Sequence, residues 1–315
     1  MKIVYMGTPD FAVAPLEALI EAGHEVSAVV TQPDKQKGRG KEVQMTPVKA
    51  CALRHGIPVF QPVKIKEAEA VKQLAEYSAD IYVVAAFGQI LSEEILHMPK
   101  FGCINIHASL LPAYRGAAPI QWVILNGEKQ TGVTIMQMAK GIDTGDMFCK
   151  TVVPIDKKET GESLHDKLME AGAKLIVDAL AGIEKGELVP EKQNDALSSH
   201  APMLTKSMGL IDWNKEAVVL ERLVRGLNSW PSAYTFYQSK TLKIWEADVI
   251  EEASLGNKPG CIVEVKKDYF DVCTGKGLLR IRSLQLEGKK RMAVKDFLLG
   301  YEMKPGMMLG KEGGC

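Results

Sequence analysis

Short apolar runs take turns with amphipathic stretches through the N-terminal part of the chain. Lys2 to Met6 reads as a first strand, followed by Gly7-Thr8-Pro9-Asp10-Phe11. Pro15 suits the first turn of a helix whose Leu16, Leu19 and Ile20 share one face, and Gly23 ends it. Glu25 to Thr31 makes a second, Val-rich strand. Thr46 then caps a helix with Pro47 at its first position, running to Gly56. Pro58 to Gln61 is a short strand and Lys66 to Tyr77 an amphipathic helix. Asp80 to Phe87 is a continuous apolar run, short enough for a strand buried on both faces. Ser92-Glu93-Glu94 caps a further helix, and Gly102 to Ile106 is again an apolar strand. Beyond Gly116, a helix over Ala118 to Asn126 precedes two strands, Gly132 to Met138 and Met147 to Ile155. Gly161 to Lys185 is one long helix, with Leu164, Leu168, Ala171, Leu175, Ala179 and Ile183 along one face. Alternation at this pitch predicts an α/β fold with a doubly wound, mainly parallel, Rossmann-like sheet.

The pattern then changes. Pro190 to Lys206 is polar and without period, which predicts an exposed linker at 190–206 between a domain at 1–189 and another at 207–315. After one helix, Glu216 to Leu227, short strands follow at Ala233–Tyr237, Thr241–Val249, Gly260–Glu264, Phe270–Cys273 and Leu278–Leu286, separated by glycine or polar turns. That spacing predicts a small β-barrel. Arg280 and Arg282 stand two apart on one strand and so share a face. Pro305 to Cys315 is Gly-rich and is expected to be disordered at its end.

Totals narrow the class. With 315 residues, 46% apolar and 25% charged, the chain is an ordinary globular sequence long enough for two domains. Net charge is zero but unevenly spread: 21 Lys and Arg face 25 Asp and Glu over residues 1–200, and 18 face 14 over residues 201–315. A polyanion touching the C-terminal part fits that asymmetry. The six cysteines include no C-x-x-C pair, so neither a zinc site nor a disulfide framework is indicated. No leader-like segment or apolar run of membrane length is present, so a cytoplasmic protein that does not engage membranes is expected.

Two polar residues interrupt the run from Gly102 to Ile106 and its continuation: Asn105 and His107, at i and i+2. On a strand they share a face, and an amide and an imidazole at a strand's C-terminal end can grip one carbonyl oxygen and manage one proton. No second His, Cys or carboxylate stands at ligand spacing around His107, so no metal is expected. Only Gly7 of a G-x-G-x-x-G fingerprint is in place, which argues against a dinucleotide site. Asp143, bounded by glycines, is by default a turn residue, and a single Asp-Thr-Gly lacks the second carboxylate of an aspartic protease. Lys35, Lys37, Arg39 and Lys41, with Gly38 and Gly40 among them, predict a mobile loop with a positive tip and no regular structure.

The string Asn105-Ile106-His107-Ala108-Ser109-Leu110-Leu111-Pro112-Ala113-Tyr114-Arg115-Gly116, with Ala117-Ala118-Pro119-Ile120-Gln121 behind it, resembles the signature of formyltransferases that use 10-formyltetrahydrofolate. The resemblance runs essentially the length of the chain and is greatest to the branch acting on methionyl-tRNA. It implies a catalytic set of Asn105, His107 and Asp143, in which Asp143 orients the imidazole. It further implies a folate site lined by Ser109, Leu110, Leu111 and Pro112, with 10-formyltetrahydrofolate as donor and no metal. The basic loop corresponds to one that contacts the acceptor end of tRNA, Arg39 foremost with Lys35, Lys37 and Lys41. The C-terminal part corresponds to an OB-like barrel that helps bind initiator methionyl-tRNA, with Arg280 and Arg282 as its candidate contacts. A monomer is expected. Relatives acting on glycinamide ribonucleotide or an amino-sugar nucleotide, and those hydrolysing formyltetrahydrofolate, share the Asn–His–Asp set, so acceptor identity is the open alternative. A non-catalytic RNA-binding protein is the alternative from another class.

Overall fold

The computed structural model describes residues 1–37, 42–251 and 256–310, and divides the chain into two compact units. The first comprises Met1–Pro119, Gln130–Pro154 and His165–Ala201; the second comprises Ile120–Lys129, Ile155–Leu164 and Pro202–Cys315.

The first unit is built on a seven-stranded sheet. Its strands are β1 (Lys2–Gly7), β2 (Glu25–Val30), β3 (Val59–Phe60), β4 (Ile81–Ala85), β5 (Cys103–His107), β6 (Gln130–Gln137) and β7 (Met147–Pro154). They lie in the order β7-β6-β5-β4-β1-β2-β3. The five from β5 to β3 are parallel, whereas β6 runs antiparallel to β5 and β7 antiparallel to β6. Chain order reverses between β1 and β4, the switch point at whose carboxyl side ligands bind in such sheets. All five residues of β4 are buried, as its unbroken apolar run requires. Helices α1 (Val13–Glu21), α2 (Pro47–Arg54), α3 (Ala68–Ala75) and α5 (Gly161–Lys185) fall where the sequence predicts, as does α4 (Pro119–Leu125), which belongs to the second unit from Ile120 onward. Thr46 caps α2 by accepting the Lys49 N–H at 3.1 Å, and Val71 and Leu74 of α3 join Val4, Val30, Tyr82 and Val84 in one core.

Two expectations are corrected here. Lys35–Lys37 is not irregular: it pairs antiparallel with Glu42–Gln44, Lys35 opposite Gln44 and Lys37 opposite Glu42. A long side chain on a solvated two-stranded ribbon keeps its charge in water, so a basic composition does not forbid a strand. Gly38 to Lys41, with Arg39, lie outside the described residues. Nor is 190–206 simply an exposed linker. Glu191 exchanges backbone hydrogen bonds with Met147, and His200–Ala201 pairs in parallel with Arg115–Gly116.

In the second unit, α6 (Ala217–Gly226) packs beside a sheet of β8 (Ala233–Tyr237), β9 (Lys240–Ile250), β10 (Ile262–Val265), β11 (Phe270–Cys273), β12 (Leu278–Leu286) and β13 (Met292–Ala293). The order is β8-β9-β12-β11-β10, with β13 on β12. Leu220 and Val224 of α6 meet Leu242, Ile244, Phe270, Val272, Leu279 and Ile281 in its core. The two outer strands are joined by the segment 306–310. Gly306 donates to the Ile262 carbonyl at 2.8 Å, Leu309 to that of Gly260 at 2.8 Å, and Gly310 to that of Phe236 at 3.0 Å. The Gly-rich tail is therefore part of this β-rich unit as far as Gly310, and 311–315 lie outside the described residues.

Candidate active site

Alternation along β5 sends Asn105 and His107 to one side of the strand's carboxyl end, and there both meet Asp143. Asn105 Nδ2 lies 3.5 Å from Asp143 Oδ1, and His107 Nδ1 lies 3.6 Å from Oδ2. The Gly116 N–H donates to the same Oδ2 at 2.9 Å. His107 is buried, and its Nε2 is 3.0 Å from the Tyr114 carbonyl, which can only accept, so Nε2 carries a proton. The Nδ1–Oδ2 separation is too long for a formed hydrogen bond. The second N–H of the Asn105 amide has no acceptor among the described residues.

Asp143 sits between β6 and β7 with φ +52°, a left-handed conformation that aspartate tolerates better than most residues. The turn is tight. A Cβ on Gly145 would stand 1.8 Å from the Gln137 carbonyl oxygen, so only glycine fits, and the Gln137 N–H donates to the Asp146 carbonyl at 2.7 Å. From the stretch expected to be a linker comes Gln193, which is buried. Its Nε2 donates to the carbonyls of Asp143 at 2.8 Å and Gly145 at 2.7 Å, and its Oε1 accepts from Arg115 Nε at 3.0 Å and Nη2 at 2.7 Å. Arg115 Nη2 also donates to Asp195 at 2.7 Å. Hydropathy gives no sign of Gln193, because its burial depends on backbone carbonyls contributed from elsewhere in the chain.

The folate-site expectation divides. Leu110 and Pro112 keep part of their surface open. Ser109 and Leu111 are buried. The Ser109 hydroxyl donates to the Ala113 carbonyl at 2.7 Å, and Thr134 Oγ1 donates to the Ser109 carbonyl at 2.7 Å while accepting the Leu111 N–H at 3.1 Å. Both residues shape the loop from behind. A further surface at the same sheet end is the segment after β4, where Ala86 and Gly88 have φ +46° and +82° and the Thr8 hydroxyl donates to the Phe87 carbonyl at 2.9 Å. Cys103, at the start of β5, has its thiol pushed up to about 12 by burial.

Lys35 is exposed on its ribbon. Arg280 and Arg282 do face outward on β12, but they are not free cations. Arg280 gives Asp271 two hydrogen bonds at 2.8 Å, and Arg282 bonds Asp248 at 3.0 Å and Asp268 at 3.1 Å. Their partners stand on β11, on β9 and in the turn before β11. A different outward set was missed: Trp245 on β9, with Lys243 Nζ 5.6 Å and the Arg291 guanidinium 5.2 Å from its ring centre. Among the described residues one group has metal-ligand geometry, Glu17, Cys51 and His55, with their ligand atoms within 4.8 Å of one another. Arg54 already donates to the Glu17 carboxylate at 2.7 Å, and none of the three belongs to this site.

Among known proteins, a family described as "Formyl transferase" matches residues 1–180, and one described as "Formyl transferase, C-terminal domain" matches residues 203–302. The methionyl-tRNA formyltransferase of Agathobacter rectalis is 56% identical over 97% of this chain and 98% of its own. That of Citrifermentans bemidjiense is 51% identical over 99% of this chain and 97% of its own. In fold, the chain is similar to the N-formyltransferase from Helicobacter canadensis, solved with folinic acid and dTDP-3-aminofucose. The TM-score is 0.68 at 20% identity, over 93% of this chain and 100% of the other.

Proposed function

The chain belongs to the formyl transferase family, and from its active-site geometry we infer that it moves the formyl group of 10-formyltetrahydrofolate to the free α-amino group of methionyl-tRNA, yielding N-formylmethionyl-tRNA for translation initiation. One observation carries the reading. In a chain related over almost its whole length to methionyl-tRNA formyltransferases, Asn105, His107 and Asp143 converge at the carboxyl end of the sheet.

An aminoacyl α-amine has a pKa of about 8, so a useful fraction is neutral and nucleophilic near pH 7. Its lone pair attacks the formyl carbon, a C–N bond forms, and negative charge builds on the formyl oxygen. The Asn105 N–H that has no acceptor among the described residues is the donor for that oxygen, and such a donor is worth about 2.7–4 kcal/mol. When the bond from the carbon to the folate N10 breaks, its electron pair stays on N10, which takes up a proton, and the former amine gives one up. His107, between the Tyr114 carbonyl and Asp143, either donates to the same oxygen or passes a proton to the departing nitrogen. Leu110 and Pro112 face the folate. Lys35, Lys37, Arg39 and Lys41 hold the 3′ end of the tRNA. With Arg280 and Arg282 neutralised, Trp245, Lys243 and Arg291 are the better barrel contacts, since aromatic rings flanked by cations suit bases and phosphates together.

Purified protein is to be given 10-formyltetrahydrofolate with a radiolabelled formyl group and, separately, charged initiator tRNA, glycinamide ribonucleotide, an amino-sugar nucleotide or water. Label on the methionyl amine is expected. Label on a different acceptor would replace the substrate, and none on any would return the chain to RNA binding without catalysis.

A further inference from the structure

We propose that Gln193 is a positioning residue for the reaction, holding the Asp143 turn in register with His107 through a fork it forms with Arg115. The proposal rests on the reading of Asp143 as a member of the catalytic set. Gln193 is 5% exposed and each of its polar atoms makes two hydrogen bonds. Its two N–H groups bridge the carbonyls of Asp143 and Gly145, on either side of Thr144. One planar amide thereby sets the spacing of a turn in which Asp143 has φ +52°. The direction of the Asp143 side chain follows from that backbone.

The other end of the same amide reaches the opposite side of the site. Arg115, which its Oε1 accepts from, precedes Gly116, whose N–H donates to Asp143 Oδ2, and follows Tyr114, whose carbonyl holds His107 Nε2. The carboxylate, its own backbone and the imidazole thus all refer to one fork. Neighbouring hydrogen bonds point the same way. Ser199 Oγ accepts the Tyr114 N–H at 2.8 Å and the Ser199 carbonyl accepts the Arg115 N–H at 2.9 Å. The residue type is demanding: glutamate can still accept from Arg115 but has no N–H for the two carbonyls, and lysine can donate but cannot accept.

The test uses Gln193→Glu in the full-length protein. A carboxylate should keep, or strengthen, the paired interaction with Arg115 while giving up both donors to the turn. The expected result is a folded protein with a turnover number lower by about 10²-fold, the scale of a 1 Å misplacement, and KM values for both substrates within about twofold of the original. Combined with Asp143→Ala, the same substitution should add less than about a twofold loss in single-turnover formylation, because it acts only through Asp143. If Gln193→Glu does not fold, Arg115→Met is read by the same assays and should give the same non-additive loss. Normal turnover in either folded variant, with Asp143→Ala crippled, would overturn this proposal alone, as would a full multiplicative loss in the double variant. Normal turnover in Asp143→Ala would remove the catalytic reading of Asp143 and this proposal with it.

Discussion

Arg280→Ala is expected to weaken the barrel and to leave tRNA affinity nearly unchanged. Asp271, to which Arg280 gives two hydrogen bonds at 2.8 Å, is 2% exposed, so its carboxylate cannot turn to water once the guanidinium is gone. The guanidinium also lies 3.7 Å from the centre of the Tyr269 ring, and the truncation removes that cation–π attraction as well. Breaking a buried pair from one side leaves an uncompensated charge and costs about 3–5 kcal/mol. In a domain of this size each kcal/mol moves Tm by about 3–5 °C, so the second unit should unfold roughly 10–25 °C earlier. Calorimetry on the whole chain reads that shift, and filter binding of charged tRNA at several salt concentrations reads the alternative. Replacing both partners, Arg280→Met with Asp271→Leu, should recover much of the loss, because no buried charge remains. The reasoning would be refuted by an unchanged Tm together with a salt slope lower by about one phosphate contact, the signature of a cation spent on tRNA.

Asn105→Ala should lower kcat/KM by about 10²–10³-fold with little change in Tm, measured by formylation kinetics beside thermal unfolding. Arg39→Ala, and to a smaller degree Arg39→Lys, should depress formylation of charged tRNA while slow cleavage of formyltetrahydrofolate without tRNA persists; equal loss of both would tie Arg39 to the folate site or the fold. Burial pushes the Asp248 carboxyl up, but hydrogen bonds from Lys158 and Arg282 outweigh it and hold the group below its ordinary value. Its stabilisation is therefore complete above the unfolded carboxylate range near pH 4 and is lost as pH falls through the lower folded value, so Asp248→Asn should reduce Tm at pH 7 and converge with the original protein in acid. Cys103, with its thiol raised to about 12, should resist maleimide at pH 8 until the protein unfolds, and rapid labelling in the native state would show that the β5 region opens.

What the sequence makes legible follows from periodicity. Asn105 and His107 could be placed on one face because a strand repeats every two residues, and the 25-residue span of α5 was readable because its apolar face never breaks. Asp143 could not be joined to them by such reasoning, since the contact crosses from one strand end to the turn beyond the neighbouring strand. Gln193 was hidden for a different cause. A polar residue in an unpatterned stretch looks solvated, and only the carbonyls of Asp143 and Gly145 make its burial favourable. Arg280 and Arg282 show the limit of counting charge. Their shared face was readable, but the acids that neutralise them belong to other strands and turns, so formal charge on that face overstates what a polyanion would meet.

The joining of β8 and β10 by 306–310 gives the barrel a late step in protein synthesis. A ribosome makes the chain from its amino end, so both outer strands emerge long before the residues that bridge them. Until those residues arrive, the Phe236 and Ile262 carbonyls lack these donors, although Tyr234 of β8 already accepts the Ile211 N–H, and unpaired backbone on an outer strand is the usual template for edge-to-edge aggregation. A message truncated just short of codon 306 would specify the entire first unit and every barrel strand, yet its product would remain an open sheet. Loss of the codons from 306 onward would therefore show as insolubility of the whole protein.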